Sequence, residues 1–212
     1  MPKRLQRVVI LGSTGSIGRN ALAVARHLPD RLRVVGLAAG TRTALLARQA
    51  REFGCRMIVT GNPAGAKDLA RNAPPGCRTA AGPEALCELA ACPEADLVLC
   101  AIVGTAGLAP VLAAIRAGKT VALASKEVLV MAGELVMREA ARAGVRILPV
   151  DSEHSALFQC LEGHGTDALS RIILTASGGA FRDRPRRELA RVTWTEAMAH
   201  PTWNMGPKVT LD

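Results

Sequence analysis

The chain of 212 residues has no tyrosine, three phenylalanines and two tryptophans. Its core must therefore be filled by Ala, Val, Leu and Ile. The scarcity of rings also argues against a single-strand nucleic-acid binder, which needs aromatic platforms between its basic residues. No apolar run reaches the roughly 20 residues needed to cross a bilayer. The N-terminus, Met1-Pro-Lys-Arg-Leu-Gln-Arg-Val8, has no apolar stretch followed by a cleavage site, so a signal peptide is not expected and a cytoplasmic protein is. The six cysteines, at 55, 77, 87, 92, 100 and 160, form no CxxC pair and stand at no ligand spacing from a histidine. They read as free thiols in a reducing compartment. One-signed charge is not lacking. The formal net charge of +9 is compatible with a phosphorylated small-molecule ligand. Only Arg182-Asp-Arg-Pro-Arg-Arg187 concentrates basic charge, and it reads as a solvated loop face.

What the chain does have is 49% apolar residues in a regular march. Residues 7–12 are a short apolar run ending in glycine, 16–28 carry apolar positions at helical spacing, and 32–38 return to strand character. This β-α-β unit implies parallel strands. Helices are expected near 42–53, 64–72, 83–91, 106–117 and 127–143, with strands near 56–60, 96–102, 119–124 and 145–150. Residues 73–82 read as a loop. The expected fold class is α/β, a Rossmann-like doubly wound parallel sheet over residues 1–150. Residues 151–212 then begin a second, α+β domain that is incomplete, with a strand-like run at 171–176.

Gly12-Ser-Thr-Gly-Ser-Ile-Gly18 lies between the first strand and first helix. Glycines there let the backbone turn tightly and approach a pyrophosphate at the helix N-terminus. A tight turn without a ligand is the bland alternative. Thr14, Ser16 and Ile17 would line the phosphate and nicotinamide side of the groove. After the second strand an Asp or Glu would suit the ribose hydroxyls of NAD, but the chain has Gly40-Thr-Arg-Thr43. A hydroxyl and a guanidinium suit a 2′-phosphate, which favours NADP(H). A solvent-facing Arg42 is the alternative. Asp151-Ser-Glu-His154 follows the last strand of the march. In an extended segment Asp151 and Glu153 would project to one side and suit Mg²⁺ or Mn²⁺. Equally, Asp151 or Ser152 could cap a helix starting near Ser155. Spacing alone leaves both open.

Four segments in order resemble the 1-deoxy-D-xylulose 5-phosphate reductoisomerase family: Gly12 to Gly18, Ala124-Ser-Lys-Glu127, Asp151-Ser-Glu-His-Ser-Ala-Leu-Phe-Gln159, and His200-Pro-Thr-Trp-Asn-Met-Gly206. Ser177-Gly-Gly179 adds a fifth. The resemblance implies NADPH- and metal-dependent isomerisation and reduction of a phosphorylated ketose, 1-deoxy-D-xylulose 5-phosphate, to 2-C-methyl-D-erythritol 4-phosphate, for isoprenoid precursor synthesis. It implies cofactor contacts from Gly12, Thr14, Gly15, Ser16, Ile17, Gly40, Thr41, Arg42, Ser125 and Glu127. Asp151 and Glu153 would hold the metal. Lys126, Ser152, Glu153, Ser177 and His200 would meet the substrate, with Lys126, Asp151, Glu153 and His200 carrying the chemistry. Trp203 and Met205 would ride on a closing flap. Ser125 departs from the family's usual Asn. The family's third metal carboxylate, a phosphate-binding Asn-Lys pair and a C-terminal helical domain are expected further along than residue 212. The chain is thus expected to be an N-terminal part, inactive alone, of an enzyme that is a homodimer when full length and binds neither nucleic acid nor membrane. A non-catalytic NADPH-binding fragment and another NADPH-dependent dehydrogenase of a small carbonyl compound are the competing readings.

Overall fold

A strand that is apolar at every position has to be covered on both faces. The computed structural model, which describes residues 5–176 and 178–202, meets that condition. In β1 (Gln6–Leu11), Val8 and Ile10 face one hydrophobic layer, and Val9 and Leu11 face the other. The same alternation runs through β2 (Leu32–Ala39), with a one-residue slip at its register shift against β1, and through β3 (Met57–Thr60), β5 (Leu97–Cys100) and β6 (Thr120–Leu123). With β4 (Arg78–Ala81) and β7 (Ile147–Pro149) they form one seven-stranded sheet, all pairs parallel, in the order β4-β3-β2-β1-β5-β6-β7.

Helices α1 (Ser16–His27), α2 (Thr43–Phe53) and α3 (Ala66–Asn72) place Leu22, Leu46, Ala50 and Leu69 in one layer. From α4 (Pro83–Ala90), α5 (Leu108–Arg116) and α6 (Lys126–Ala143) come Leu89, Val111, Ile115, Val128 and Val136 for the other. The chain runs outward from β1 to β4, returns beside β1 as β5, and proceeds outward again. The strand order therefore reverses between β1 and β5. Open α/β sheets bind ligands beyond the carboxyl ends of their strands at such a point.

Three local readings of the sequence need correction. Residues 73–82 are not wholly loop, because Arg78–Ala81 pairs along β3 as an edge strand. Its Arg-Thr-Ala-Ala has no apolar run, and only the neighbour's ladder makes it a strand. Conversely, residues 171–176 are not in a strand. Ile172, Ile173 and Leu174 are exposed, and β propensity without a partner ladder does not make a strand. Third, the helix after β7 begins at Ser152 rather than near Ser155, as α7 (Ser152–Leu161). The long α6 is broken by non-helical backbone at Ala132.

The chain divides into two compact units, Met1–Glu162 and Gly163–Asp212. In the second, the short α8 (Trp194–Ala197) starts with a reciprocal capping box between Thr193 and Glu196. The Thr193 amide, with Arg184 and the Thr193 hydroxyl, holds the Glu196 carboxyl down to about 2. In the basic loop, Arg184 is tied to Glu196 at 2.8 Å, while Arg182, Arg186 and Arg187 are exposed. No helix among the described residues is long and apolar enough to cross a membrane.

If two-sided burial holds the sheet together, Leu37→Ala in β2, where the side chain is fully buried, costs about 2–5 kcal/mol. Val130→Ala on α6, at 85% exposure, stays within about 0.5 kcal/mol. Urea unfolding of both variants checks the contrast.

Candidate cofactor and metal site

At the reversal point three backbones crowd together. The amides of Gly12 and Ser13 both donate to the Ala38 carbonyl at 2.9 Å, and the Ala101 amide donates to the Leu11 carbonyl at 2.8 Å. Gly12 has φ +91°, and a Cβ there would lie 2.4 Å from the Ala101 oxygen. A Cβ on Gly18 would lie 2.3 Å from the Gly12 oxygen and 2.5 Å from the Ser13 Cα. Packing within the protein thus demands both glycines. Gly15 is different. Its φ of −75° is open to any residue, and a Cβ would stand 3.3 Å from the Gly12 oxygen, tight but tolerable. A bare backbone here leaves room for a ligand to approach the turn.

Gly15 is also the N-cap of α1, with no side-chain cap and no acidic residue in the first turn. The first amides of a helix have no intrahelical acceptor and carry partial positive charge. Ser16 and Ile17 are exposed and Thr14 is buried. The turn from Gly15 to Ile17 thus fits a pyrophosphate. Beyond β2, Gly40, Thr41 and Arg42 are all exposed, with no carboxylate among them. Two buried hydroxyls hold this loop. Thr60 donates to the Gly40 carbonyl at 2.6 Å, and Thr43, the first residue of α2, donates to Asp68. A third tie joins the two loops, because Ser13 and Gln49 of α2 are hydrogen-bonded to each other in the core. Thr60, Asp68 and Gln49 carry no motif in the sequence. The detectable signal was polar residues at otherwise apolar positions of β3 and α2.

On the other side of β1, Ser125 is buried and its hydroxyl donates to the Ile102 carbonyl. It stitches the loops after β5 and β6 together. Lys126 and Glu127 open α6, and the Lys126 ammonium lies 3.5 Å from Asp151 Oδ2. Asp151 occupies the N-cap position of α7 yet makes no capping hydrogen bond. Its carboxylate instead meets His154 Nδ1 at 3.0 Å, while the Ser152 hydroxyl donates to Glu153 at 2.8 Å. Because the helix starts at Ser152, the two carboxylates are not alternate positions of an extended segment, one of the two arrangements the spacing left open. Both belong to the start of one helix. Burial alone would raise the Asp151 carboxyl, but hydrogen bonds with His154 and Glu153 and the nearby Lys126 charge together hold it below its ordinary range. Asp151 is therefore a carboxylate at neutral pH. His154 had no role in the sequence reading beyond its place in the motif.

Two carboxylates are hard oxygen donors of the kind Mg²⁺ and Mn²⁺ take. Among the described residues no group of three or more His, Cys, Asp or Glu is placed to hold a metal, so Asp151 and Glu153 would supply part of a shell. His200, in the second unit, is half-buried and its Nδ1 accepts the Thr202 amide at 3.2 Å. In the neutral ring this leaves the proton on Nε2. Ser177, Trp203 and Met205 lie outside the described residues. All six cysteines are unbridged. Burial pushes the Cys55 thiol up to about 12 and raises Cys77, Cys87, Cys92 and Cys100 as well, against a nucleophilic thiol among them. At the opposite, N-terminal edge of the strands, a cavity of about 620 Å³ is lined by Arg7, Arg33, Arg56 and Arg78 among others.

A family model described as 1-deoxy-D-xylulose 5-phosphate reductoisomerase matches residues 8–133, and one for that enzyme's C-terminal domain matches 147–212. Curated relatives of the same name include those of Protochlamydia amoebophila, 49% identical over 208 residues, and Anaeromyxobacter dehalogenans, 51% identical over 208. The alignments cover 98% of this chain and 54% and 53% of those proteins. The chain thus spans about half the length of the curated relatives it matches. A solved DOX-P reductoisomerase in complex with NADPH, fosmidomycin and magnesium superposes with a TM-score of 0.89 at 40% identity, over 97% of this chain and 53% of the other. The Zymomonas mobilis enzyme in complex with NADPH superposes with a TM-score of 0.88 at 44% identity, over 93% of this chain and 52% of the other.

The different reasons for the three glycines separate two variants. Gly18→Ala drives a Cβ into backbone and loses about 1–3 kcal/mol of stability or more. Gly15→Ala, whose Cβ stands 3.3 Å from the Gly12 oxygen rather than 2.3 Å, loses less stability than Gly18→Ala and loses affinity for a nicotinamide dinucleotide. Thermal melts and cofactor titration of both proteins test the distinction.

Proposed function

The chain belongs to the 1-deoxy-D-xylulose 5-phosphate reductoisomerase family, and from that premise we propose that it forms the cofactor- and metal-binding portion of an enzyme that isomerises and reduces 1-deoxy-D-xylulose 5-phosphate to 2-C-methyl-D-erythritol 4-phosphate, for isoprenoid precursor synthesis. The reading includes a homodimeric full-length protein in the cytoplasm, where free thiols persist. The observation that carries it is the pairing of two features along one sheet edge. The Gly15 turn and α1 N-terminus are bare of side-chain caps, and Asp151 sits at a helix start without being spent as a cap.

Gly12, Thr14, Gly15, Ser16 and Ile17 hold the pyrophosphate side of NADPH in this proposal, and Gly40, Thr41 and Arg42 the 2′-phosphate. Ser125 acts on the cofactor through the loop after β5, because its hydroxyl already belongs to Ile102. Glu127, in the first turn of α6, completes the cofactor's surroundings. When bound, NADPH supplies the hydride and the divalent cation supplies Lewis acidity. Everything else is positioning and charge. Asp151 and Glu153 bring carboxylate oxygens to the cation. Lys126, 3.5 Å from Asp151 Oδ2, would stand beside the metal ligands and bring a positive charge to the phosphorylated substrate. Ser152, Ser177 and His200 orient the substrate. Residues 151–212 begin the domain that carries this chemistry.

Two measurements test the proposal. NADPH binds the 212-residue chain more than about tenfold tighter than NADH, the worth of one charged hydrogen bond to the 2′-phosphate. Arg42→Ala removes most of the difference, and equal wild-type affinities would refute the NADP assignment. In the full-length enzyme, Asp151→Asn or Glu153→Gln abolishes Mn²⁺-dependent turnover and spares NADPH binding. Near-normal rates in both would show that the carboxylates do not hold the metal.

A further inference from the structure

Among the described residues, Ser13 and Gln49 form a polar side-chain pair in the core that hydrophobic packing does not explain. Ser13 is fully buried and Gln49 is nearly so, at 7% exposure. The Ser13 hydroxyl donates to Gln49 Oε1 at 2.8 Å, and Gln49 Nε2 donates back to the Ser13 carbonyl at 3.1 Å. The Ser13 amide is bonded to Ala38 at 2.9 Å. Every polar group of Ser13 is thus consumed inside the protein, so its side chain does not reach a ligand. A buried amide in mid-helix is costly to desolvate, and an aliphatic residue would fill the space without that cost.

The placement of the pair supplies a reason. Gln49 lies six residues into α2 from Thr43, about 9 Å along a helix rising 1.5 Å per residue. The N-terminus of α2 follows directly on Gly40, Thr41 and Arg42, and Thr60 and Asp68 fix that loop in turn. The helix is a strut. One end positions the loop assigned to the 2′-phosphate, and Gln49 grips the residue three before Ser16, where the α1 amides begin. We infer that the Ser13–Gln49 pair is a positioning element that sets the separation between the two halves of the cofactor cradle. It therefore selects ligands that span both, namely dinucleotides phosphorylated on the adenosine ribose. The inference rests on the cofactor reading above.

A ligand that occupies one half is insensitive to the spacing, which distinguishes positioning from general support. Dissociation constants for NADPH, 2′-AMP and inorganic pyrophosphate are measured on the 212-residue chain, on Ser13→Ala, on Gln49→Met and on the double variant, each with its melting temperature. In Gln49→Met, NADPH affinity is expected to fall by roughly tenfold, the size of one or two net hydrogen bonds, while the two fragments change by less than about twofold. The double variant falls by less than the product of the singles, because both act on one pair. If Gln49→Met does not fold, Ser13→Ala, which deletes only a hydroxyl, decides by the same ratio. Parallel losses for all three ligands, or NADPH affinity unchanged in the folded variants while the wild type binds it, would overturn the inference alone. A wild-type chain that binds no NADPH would overturn the cofactor reading and the inference with it.

Discussion

Backbone meets backbone at the end of β1 with no room for a side chain between. Ala101 fills the space where a Cβ on Gly12 would go, and Gly12 in turn fills the space where one on Gly18 would go. Because these contacts are between main chains, neighbouring side chains cannot relax to accept a larger residue. They bring α1 down onto the first loop and hold the loops after β1, β2 and β5 side by side. The crevice at the strand reversal, and the direction in which the α1 amides point, both depend on this close approach.

Around that contact the sheet edge is finished with polar ties that apolar packing could not supply. Buried hydroxyls of Ser13, Thr60 and Ser125 each bond to a neighbouring segment that ends in an exposed loop. Burying them costs little because each is satisfied, and each converts a loop that could drift into one with a defined position. The charged groups follow a different rule. Against the effect of burial, the Asp151 carboxyl is held below its ordinary range by hydrogen bonds with His154 and Glu153 and by the Lys126 charge. The N-terminal edge shows the contrast, for there Arg7 with Asp96 and Arg78 with Glu88 are closed ion pairs that brace strands and helices.

The fold was legible because its strands are apolar at consecutive positions and its helices show a single apolar stripe, so period and length agreed element by element. The glycine loop was legible for the same reason, since its spacing fell between a clear strand and a clear helix. What could not be read depended on partners distant in sequence. β4 exists because β3 offers it a ladder, and residues 171–176 lack one despite their Ile-Ile-Leu. The geometry of Asp151 and Glu153 turned on where α7 begins, a boundary of three residues that alternation arguments do not resolve. The hydrogen bond of Ser125 to Ile102 spans 23 positions, and no local pattern announces it. Ser13 and Gln49, 36 positions apart, illustrate the same limit.

The central claim is that ligand binding is concentrated where the glycine-enforced backbone contact opens onto the carboxyl ends of the strands. Mapping amide chemical shifts of the ¹⁵N-labelled chain during titration with NADPH tests it directly. Large shifts at Gly15, Ser16, Ile17 and Thr41–Thr43, with little change at Arg33, Arg56 and Arg78 on the opposite edge, are the predicted result. Shifts centred on the arginine-lined edge, with the amides of Gly15 to Ile17 unmoved, would contradict it.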